Sequence, residues 1–181
     1  MPYDLVNGIA LPAGPPAAAT LVTSQFLHAS VTHVAFNMIF LACFGPAVEA
    51  ALGGSRFVGF YLACGVLGGL AQVSFDPGSH VPAIGASGAI AGVLGAYVVR
   101  YPTVPVFRIP AFVVILLWAG VQVVHGFGAL ATNVLSERGG GTAYFAHIGG
   151  FLAGVFGIGL FGARATHGAR APRSEQPSIR L

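Results

Sequence analysis

Five long apolar segments, separated by short polar loops, constrain what this chain can fold into. A helix needs about 20 mainly apolar residues to cross the hydrocarbon core of a bilayer, and the segments approach that length. Only 7% of the residues are charged, whereas 55% are hydrophobic and the mean hydropathy is +0.81. This composition excludes an ordinary soluble domain. The sequence predicts an all-α, polytopic membrane helical bundle with five transmembrane helices, near residues 31–52, 57–75, 83–100, 107–130 and 143–163.

The arginines predict how this bundle sits in a membrane. Basic residues in short loops are retained on the cytoplasmic side, and if the first span begins outside, every arginine except Arg138 falls inside. We therefore expect a multi-pass protein of the cell membrane with a cytoplasmic C-terminus. The absence of lysine and the abundance of glycine and alanine favour a bacterial inner membrane. Residues 1–30 are predicted to be an outer segment, residues 31–163 the transmembrane domain, and residues 164–181 a disordered basic tail.

The charge pattern and the cysteines indicate which ligands the chain is not expected to bind. The sequence pI is near 9.2, but the arginines are not clustered among aromatic residues, so we expect no nucleic acid partner. Cys43 and Cys64 both lie in apolar stretches and are predicted to be buried free thiols. The chain has no H-E-x-x-H or paired-cysteine spacing, and its acidic residues stand at the wrong ends of the helices. We therefore expect no metal and no other cofactor.

Polar side chains inside the apolar spans are candidate functional residues, because such groups are costly in a bilayer. His33 and Asn37 lie on one face of the first helix, Ser87 near the start of the third span, and His147 near the start of the fifth. The arginine topology brings all four to one depth, about 5 to 10 Å from the outer boundary. Peptide hydrolysis requires a nucleophile, a base and oxyanion donors. Ser87, His147 and the His33–Asn37 pair are candidates for these roles in that order.

Each candidate also has a structural interpretation. A serine flanked by glycines is typical of helix packing in membranes. Small residues form one face on the third span and one on the fifth, made of Gly88, Gly92 and Ala96 and of Ala146, Gly150 and Gly154. The two interpretations are compatible, since a serine and a histidine on different helices touch only where the backbones come close. His125, in the fourth span, is predicted to be a satisfied interior residue.

The polar residues stand in motifs that resemble those of the rhomboid family of intramembrane serine proteases. In chain order the motifs are His28-x4-His33-x3-Asn37, Gly85-Ala86-Ser87-Gly88 and Ala146-His147-x-Gly149-Gly150. The resemblance implies a serine endopeptidase that cleaves transmembrane-anchored protein substrates near the outer membrane face, with residues 31–163 as its catalytic domain. The family has six helices, and the one that precedes the His28 motif is not among the five predicted spans. Residues 1–23 resemble the outer loop that follows that helix.

The resemblance also implies a role for each residue. Ser87 and His147 would form a catalytic dyad without a third, acidic member. The oxyanion would be stabilised by His33, Asn37 and the Ser87 backbone N–H, and Gly85 is also implied to stabilise the oxyanion or the substrate. The resemblance implies a structural role near the site for His28, Gly88 and Gly150. Some members carry an aromatic residue that stacks on the histidine, and this chain has Ala91 at that position.

Two other classes of function stay open. A catalytically weak or inactive member of the superfamily would bind membrane proteins without cleaving them. Such relatives usually lose the serine or the histidine, whereas this chain keeps both. A transporter predicts broken helices or charges near the midplane, and Glu49 lies instead at a helix end. The expected partners are transmembrane protein substrates and the lipid bilayer, and the sequence leaves the oligomeric state open.

Overall fold

A computed structural model describes residues 5–6, 9–10, 17–75, 83–106, 108–133 and 143–162. Within these ranges the α-helices are α1 (Ala17–Thr23), α2 (Val31–Leu52), α3 (Gly54–Phe75), α4 (Ser87–Arg100), α5 (Ala111–Asn133) and α6 (Tyr144–Leu160). Two short antiparallel pairs join β1 (Leu5–Val6) to β2 (Ile9–Ala10) and β3 (Pro105–Val106) to β4 (Ile109–Pro110). The prediction of an all-α helical bundle is confirmed.

Helices α2 to α6 correspond to the five predicted spans. By length and composition, α2 and α3, each of 22 residues, are long and apolar enough to cross a membrane, whereas α4 has only 14 residues and α6 has 17. Helix α4 begins at Ser87, four residues later than the expected start at 83. Gly85 is the reason, because its φ of +118° lies outside the helical region. The predicted tail at 164–181 lies outside the described residues.

The short helix α4 is the centre of the bundle. Every residue from Gly88 to Tyr97 is buried, and α2, α3, α5 and α6 all contact this helix. Large apolar side chains are instead exposed on the outer helices, where a bilayer would cover them. The most exposed of these include Val31, Phe36, Leu117, Val124, Phe156 and Leu160. A helix whose own hydrophobicity is diluted by glycine is thus enclosed by helices that face the lipid.

Helices α4 and α6 approach until their backbones touch. A Cβ atom added to Gly150 would overlap the carbonyl group of Gly88, and one added to Gly154 would overlap that of Gly92. The two small-residue faces seen in the sequence therefore pack against each other. Because lipid tails are as apolar as leucine, close van der Waals packing of this kind is a main source of helix association in membranes.

Contacts between helix ends show which termini share one end of the bundle. The Phe75 ring at the end of α3 stacks on Phe145 at the start of α6, with centroids 4.8 Å apart. At the opposite end, the Tyr101 hydroxyl after α4 donates to the Ala47 carbonyl in the second half of α2, at 3.1 Å. The starts of α4 and α6 therefore lie at the same end, away from Arg100.

Two burial predictions are wrong. Cys43 and His125 are both exposed, whereas Cys64 is buried, and both cysteines are free thiols as expected. The error has one cause. In a membrane helix the face toward lipid is as apolar as the face toward the interior, so an apolar stretch does not say which side chains are buried.

The α4–α6 packing predicts that Gly154→Ala destabilises the bundle by about 1–3 kcal/mol, the usual cost of overpacking a well-filled core. Unfolding by sodium dodecyl sulfate in detergent micelles, followed by circular dichroism, measures this change. Gly159→Ala is the matched control on the same helix, because a Cβ there meets no atom within 4 Å. Equal stability of the two variants would contradict the close packing.

Candidate active site

A serine and a histidine from two different helices meet at the end of the bundle where α4 and α6 begin. Ser87 is the first residue of α4, and His147 lies in the first turn of α6. The Ser87 Oγ is 2.7 Å from His147 Nε2, and the histidine is only 7% exposed. The structure thus brings together the two residues that the sequence predicted as a dyad. The backbone contact at Gly88 and Gly150, one residue and one turn further along, permits this approach.

The other nitrogen of the His147 ring contacts helix α5. His147 Nδ1 is 2.9 Å from the Gln122 Oε1, and the Trp118 ring lies one turn earlier with its centroid 5.9 Å from that of the imidazole. An amide oxygen only accepts hydrogen bonds, so Nδ1 carries the proton in this arrangement. The lone pair is then on Nε2, which accepts the hydrogen bond donated by the Ser87 hydroxyl. This is the tautomer in which a histidine can take a proton from a serine.

The residues predicted as oxyanion donors gather around Gly85. Ser30 caps α2 by accepting the His33 backbone N–H at 3.1 Å, which fixes the first turn of the helix and the position of His33. A Cβ built on Gly85 would lie 2.9 Å from His33 Nε2 and 3.7 Å from Asn37 Nδ2. Both nitrogens therefore lie beside the segment that leads into Ser87. The Gly85 N–H donates to the Ser24 carbonyl at 2.9 Å, which anchors this segment.

Asn37 holds an unused donor inside the protein. Its side chain is 6% exposed, and Nδ2 has no hydrogen-bond partner in the part of the chain that the structure describes. A buried unsatisfied donor costs about 1–3 kcal/mol, so its presence calls for an explanation. The first turn of α4, which includes Ser87, also has backbone N–H groups without intrahelical partners and the positive end of the helix dipole. The site thus offers several donors to a developing negative charge.

The three residues predicted to support the site make packing contacts near it. The His28 ring meets the His33 ring edge-on, with centroids 5.1 Å apart, so His28 packs behind the predicted oxyanion donor. Gly88 and Gly150 form a close backbone contact of α4 with α6.

Sequence reasoning missed four residues that surround the site. Besides Gln122 and Trp118, these are Gln72, whose Oε1 accepts the Ala146 backbone N–H at 3.3 Å, and Gln25, which is 4% exposed. Gln72 satisfies a donor at the N-terminus of α6, immediately before His147. Gln72 and Gln122 could have been found from the sequence, because an uncharged amide inside an apolar span is as unusual as a histidine there.

A small cavity of about 30 Å³ adjoins Ser87. Gln25, Gly85 and Ala146 are among its lining residues. A cavity needs about 10–15 Å³ to accommodate one water molecule, so this space is sufficient for water next to the serine hydroxyl.

A hydrogen-bonded serine–histidine pair thus lies beside a buried amide donor at one end of a helical membrane bundle. The rhomboid domain family model matches residues 16–164, so the chain belongs to the rhomboid family. The prediction of a rhomboid-like membrane bundle is therefore confirmed.

Similar proteins include two from a bacterium and one from the mitochondria of yeast. Rhomboid protease GluP of Bacillus subtilis is 35% identical over 144 residues, which are 78% of this chain and 26% of the relative. Putative rhomboid protease YdcA of the same organism is 40% identical over 77 residues, or 42% of this chain and 38% of the relative. Rhomboid protein 1, mitochondrial, of Saccharomyces cerevisiae is 29% identical over 144 residues, which are 75% of this chain and 40% of the relative. The matched parts thus span between about a quarter and two fifths of these relatives.

The site geometry predicts that Gly85→Ala destabilises the protein by about 1–3 kcal/mol, because its φ of +118° is strained for any residue with a Cβ. The new methyl group would also press on His33. In the double variant Gly85→Ala with His33→Ala, the new methyl group no longer meets the His33 ring. The double variant should therefore lose less unfolding free energy than the sum of the losses in the two single variants. Additive losses, within about 0.5 kcal/mol, would contradict the contact.

Proposed function

We propose that this protein is an intramembrane serine endopeptidase that uses Ser87 as nucleophile and His147 as general base. The observation that carries the proposal is the 2.7 Å approach of Ser87 Oγ to an imidazole nitrogen whose ring is buried and held from its other side. The protease names of two bacterial relatives support the same chemistry. Its substrates are transmembrane-anchored proteins, because a site at the end of a bundle in a bilayer is reached by chains in the same membrane.

In the first half of the proposed reaction, Ser87 Oγ attacks the carbonyl carbon of the scissile peptide bond. The hydroxyl proton passes to His147 Nε2, a C–O bond forms, and the carbonyl π electrons move to the oxygen. When this tetrahedral species collapses, the C–N bond breaks and the leaving amine takes the proton from Nε2. The product is an ester of Ser87 with the N-terminal fragment of the substrate.

In the second half, water hydrolyses this ester. His147 Nε2 takes a proton from the water, the hydroxide oxygen bonds to the ester carbon, and the proton returns to Ser87 Oγ as it leaves. The cavity of about 30 Å³ beside Ser87 supports this step, since it offers space for the water within a largely apolar bundle.

The negative charge on the substrate oxygen needs donors that are in place before the reaction, because a low-dielectric site cannot reorganise to supply them. Asn37 Nδ2 is such a donor, buried and without a partner among the described residues. His33 and the backbone N–H of Ser87 complete the proposed set. In this view the protein tolerates an unsatisfied amide in the resting state because the substrate oxygen satisfies it in the transition state.

The arginines support an orientation for this site. Arg56 and Arg100 lie at the end of the bundle away from Ser87, and basic residues in short loops are retained in the cytoplasm. We therefore assign the site to the outer side of the membrane and the C-terminus to the cytoplasm. Cleavage would then occur near the outer end of the substrate's transmembrane segment.

The proposal predicts that Ser87→Ala and His147→Ala each lower kcat by about 10⁴-fold or more, because the dyad acts as a unit. Asn37→Ala should lower it by about 10²- to 10³-fold, the usual cost of one oxyanion donor. The measurement is cleavage of a fluorogenic transmembrane substrate by purified protein in detergent or liposomes.

Matched controls come from exposed residues of the same types. Ser74 is exposed on α3, where its hydroxyl donates to the Leu70 carbonyl, and His125 is exposed on α5. Ser74→Ala and His125→Ala should cleave at the wild-type rate. No cleavage by the wild type, or equal cleavage by wild type and both dyad variants, would refute the protease and favour a binding role without proteolysis.

A further inference from the structure

His147 has no carboxylate to orient it in the described part of the chain. Glu49 is the one acidic residue in the described ranges, and it lies in the last turn of α2, at the opposite end of the bundle. A histidine base works only in the tautomer whose lone pair faces the serine, and in serine hydrolases with a triad an aspartate selects it. Among the described residues, the group that orients His147 is therefore not a carboxylate.

The contacts of the His147 ring identify that group. On one side its Nε2 meets Ser87, and on the other its Nδ1 lies 2.9 Å from the Gln122 Oε1. Gln122 is half-buried within an otherwise apolar stretch of α5, where a free amide side chain would be costly. The hydrogen bond to His147 satisfies the amide oxygen and explains why a glutamine is stable at this position.

A second contact comes from the same face of α5. Trp118 stands four residues before Gln122, and therefore one turn away on the same side of the helix. Its ring is tilted by 37° against the imidazole, with centroids 5.9 Å apart. Residue 91 on α4 is an alanine and provides no ring, so the aromatic contact to His147 comes from α5. One helix thus restrains both the tautomer and the tilt of the base.

We propose that Gln122 is a positioning residue of the active site, which keeps the proton of His147 on Nδ1 so that Nε2 can accept the proton of Ser87. This inference rests on the proposed protease activity. It gives the amide of α5 the function that an aspartate has in serine hydrolases with a triad. Because the amide is neutral, it orients the imidazole without adding a negative charge at membrane depth, where an unpaired carboxylate would be costly.

The mechanism gives different expectations for two replacements of similar length. In Gln122→Met the acceptor is lost, Nδ1 no longer has its partner, and the imidazole can carry its proton on Nε2, where it cannot act on Ser87. In Gln122→Glu the carboxylate still accepts from Nδ1. We expect Gln122→Met to lower kcat about tenfold, as expected for one lost hydrogen bond of ordinary strength, and to leave KM unchanged. Gln122→Glu should keep kcat within about threefold of the wild type.

The test is steady-state cleavage of a fluorogenic transmembrane substrate, with kcat and KM determined separately for wild type, both Gln122 variants and Val124→Met. Val124 is a matched control on the same helix, because it is 71% exposed and, two residues after Gln122, does not share its face of the helix. Its variant should behave as the wild type. Denaturation in sodium dodecyl sulfate shows whether every variant is folded, and the kinetic comparison is made between folded proteins.

The outcomes separate this inference from the protease proposal. If the wild type cleaves, and kcat falls in Gln122→Met but is retained in Gln122→Glu, the positioning role holds. An active wild type with unchanged kcat in Gln122→Met, with equal losses in both variants, or with a change in KM alone overturns the inference and leaves the protease proposal intact. An inactive wild type refutes the protease proposal itself, and with it the role of Gln122.

Discussion

The backbone contact between α4 and α6 is the constraint on which the rest of the structure depends. Gly88 and Gly92 on one helix face Gly150 and Gly154 on the other so closely that a single added methyl group would overlap a carbonyl. Only at this separation can Ser87 and His147, at the starts of the two helices, share a hydrogen bond. The same glycines make α4 a weak transmembrane segment by itself, and the bundle compensates by enclosing it on all sides.

The site is assembled from single contributions by several helices, which explains why the chain needs a rigid bundle around a few polar atoms. The proposed nucleophile comes from α4 and the proposed base from α6. The buried amide of Asn37 comes from α2, and the groups that contact the His147 ring come from α5. Each polar group costs free energy in an apolar surrounding unless it is paired. Pairing His147 on both ring nitrogens lowers that cost, whereas Asn37 Nδ2 has no partner among the described residues.

The sequence could predict the features that depend only on the order of residue types along one helix. The spans followed from apolar length, the site residues from polar groups within them, and the α4–α6 faces from glycine spacing. The sequence could not predict side-chain contacts that depend on how one helix is rotated against another. Gln122 and Trp118 touch His147 only because of how α5 turns toward α6, and Cys43 and His125 were misjudged because lipid-facing and interior faces are equally apolar. The start of α4 depended on a backbone angle at Gly85.

His147 is proposed to make Ser87 a nucleophile, and covalent labelling tests this role without any assumption about the substrate. A fluorophosphonate reacts with an activated serine hydroxyl to give a stable adduct, and mass spectrometry of the proteolysed protein locates it. The account predicts one adduct on the peptide that contains Ser87 in the wild type, and none at that position in His147→Ala. An adduct on Ser87 that forms equally fast without His147, or labelling of other serines alone, would contradict it.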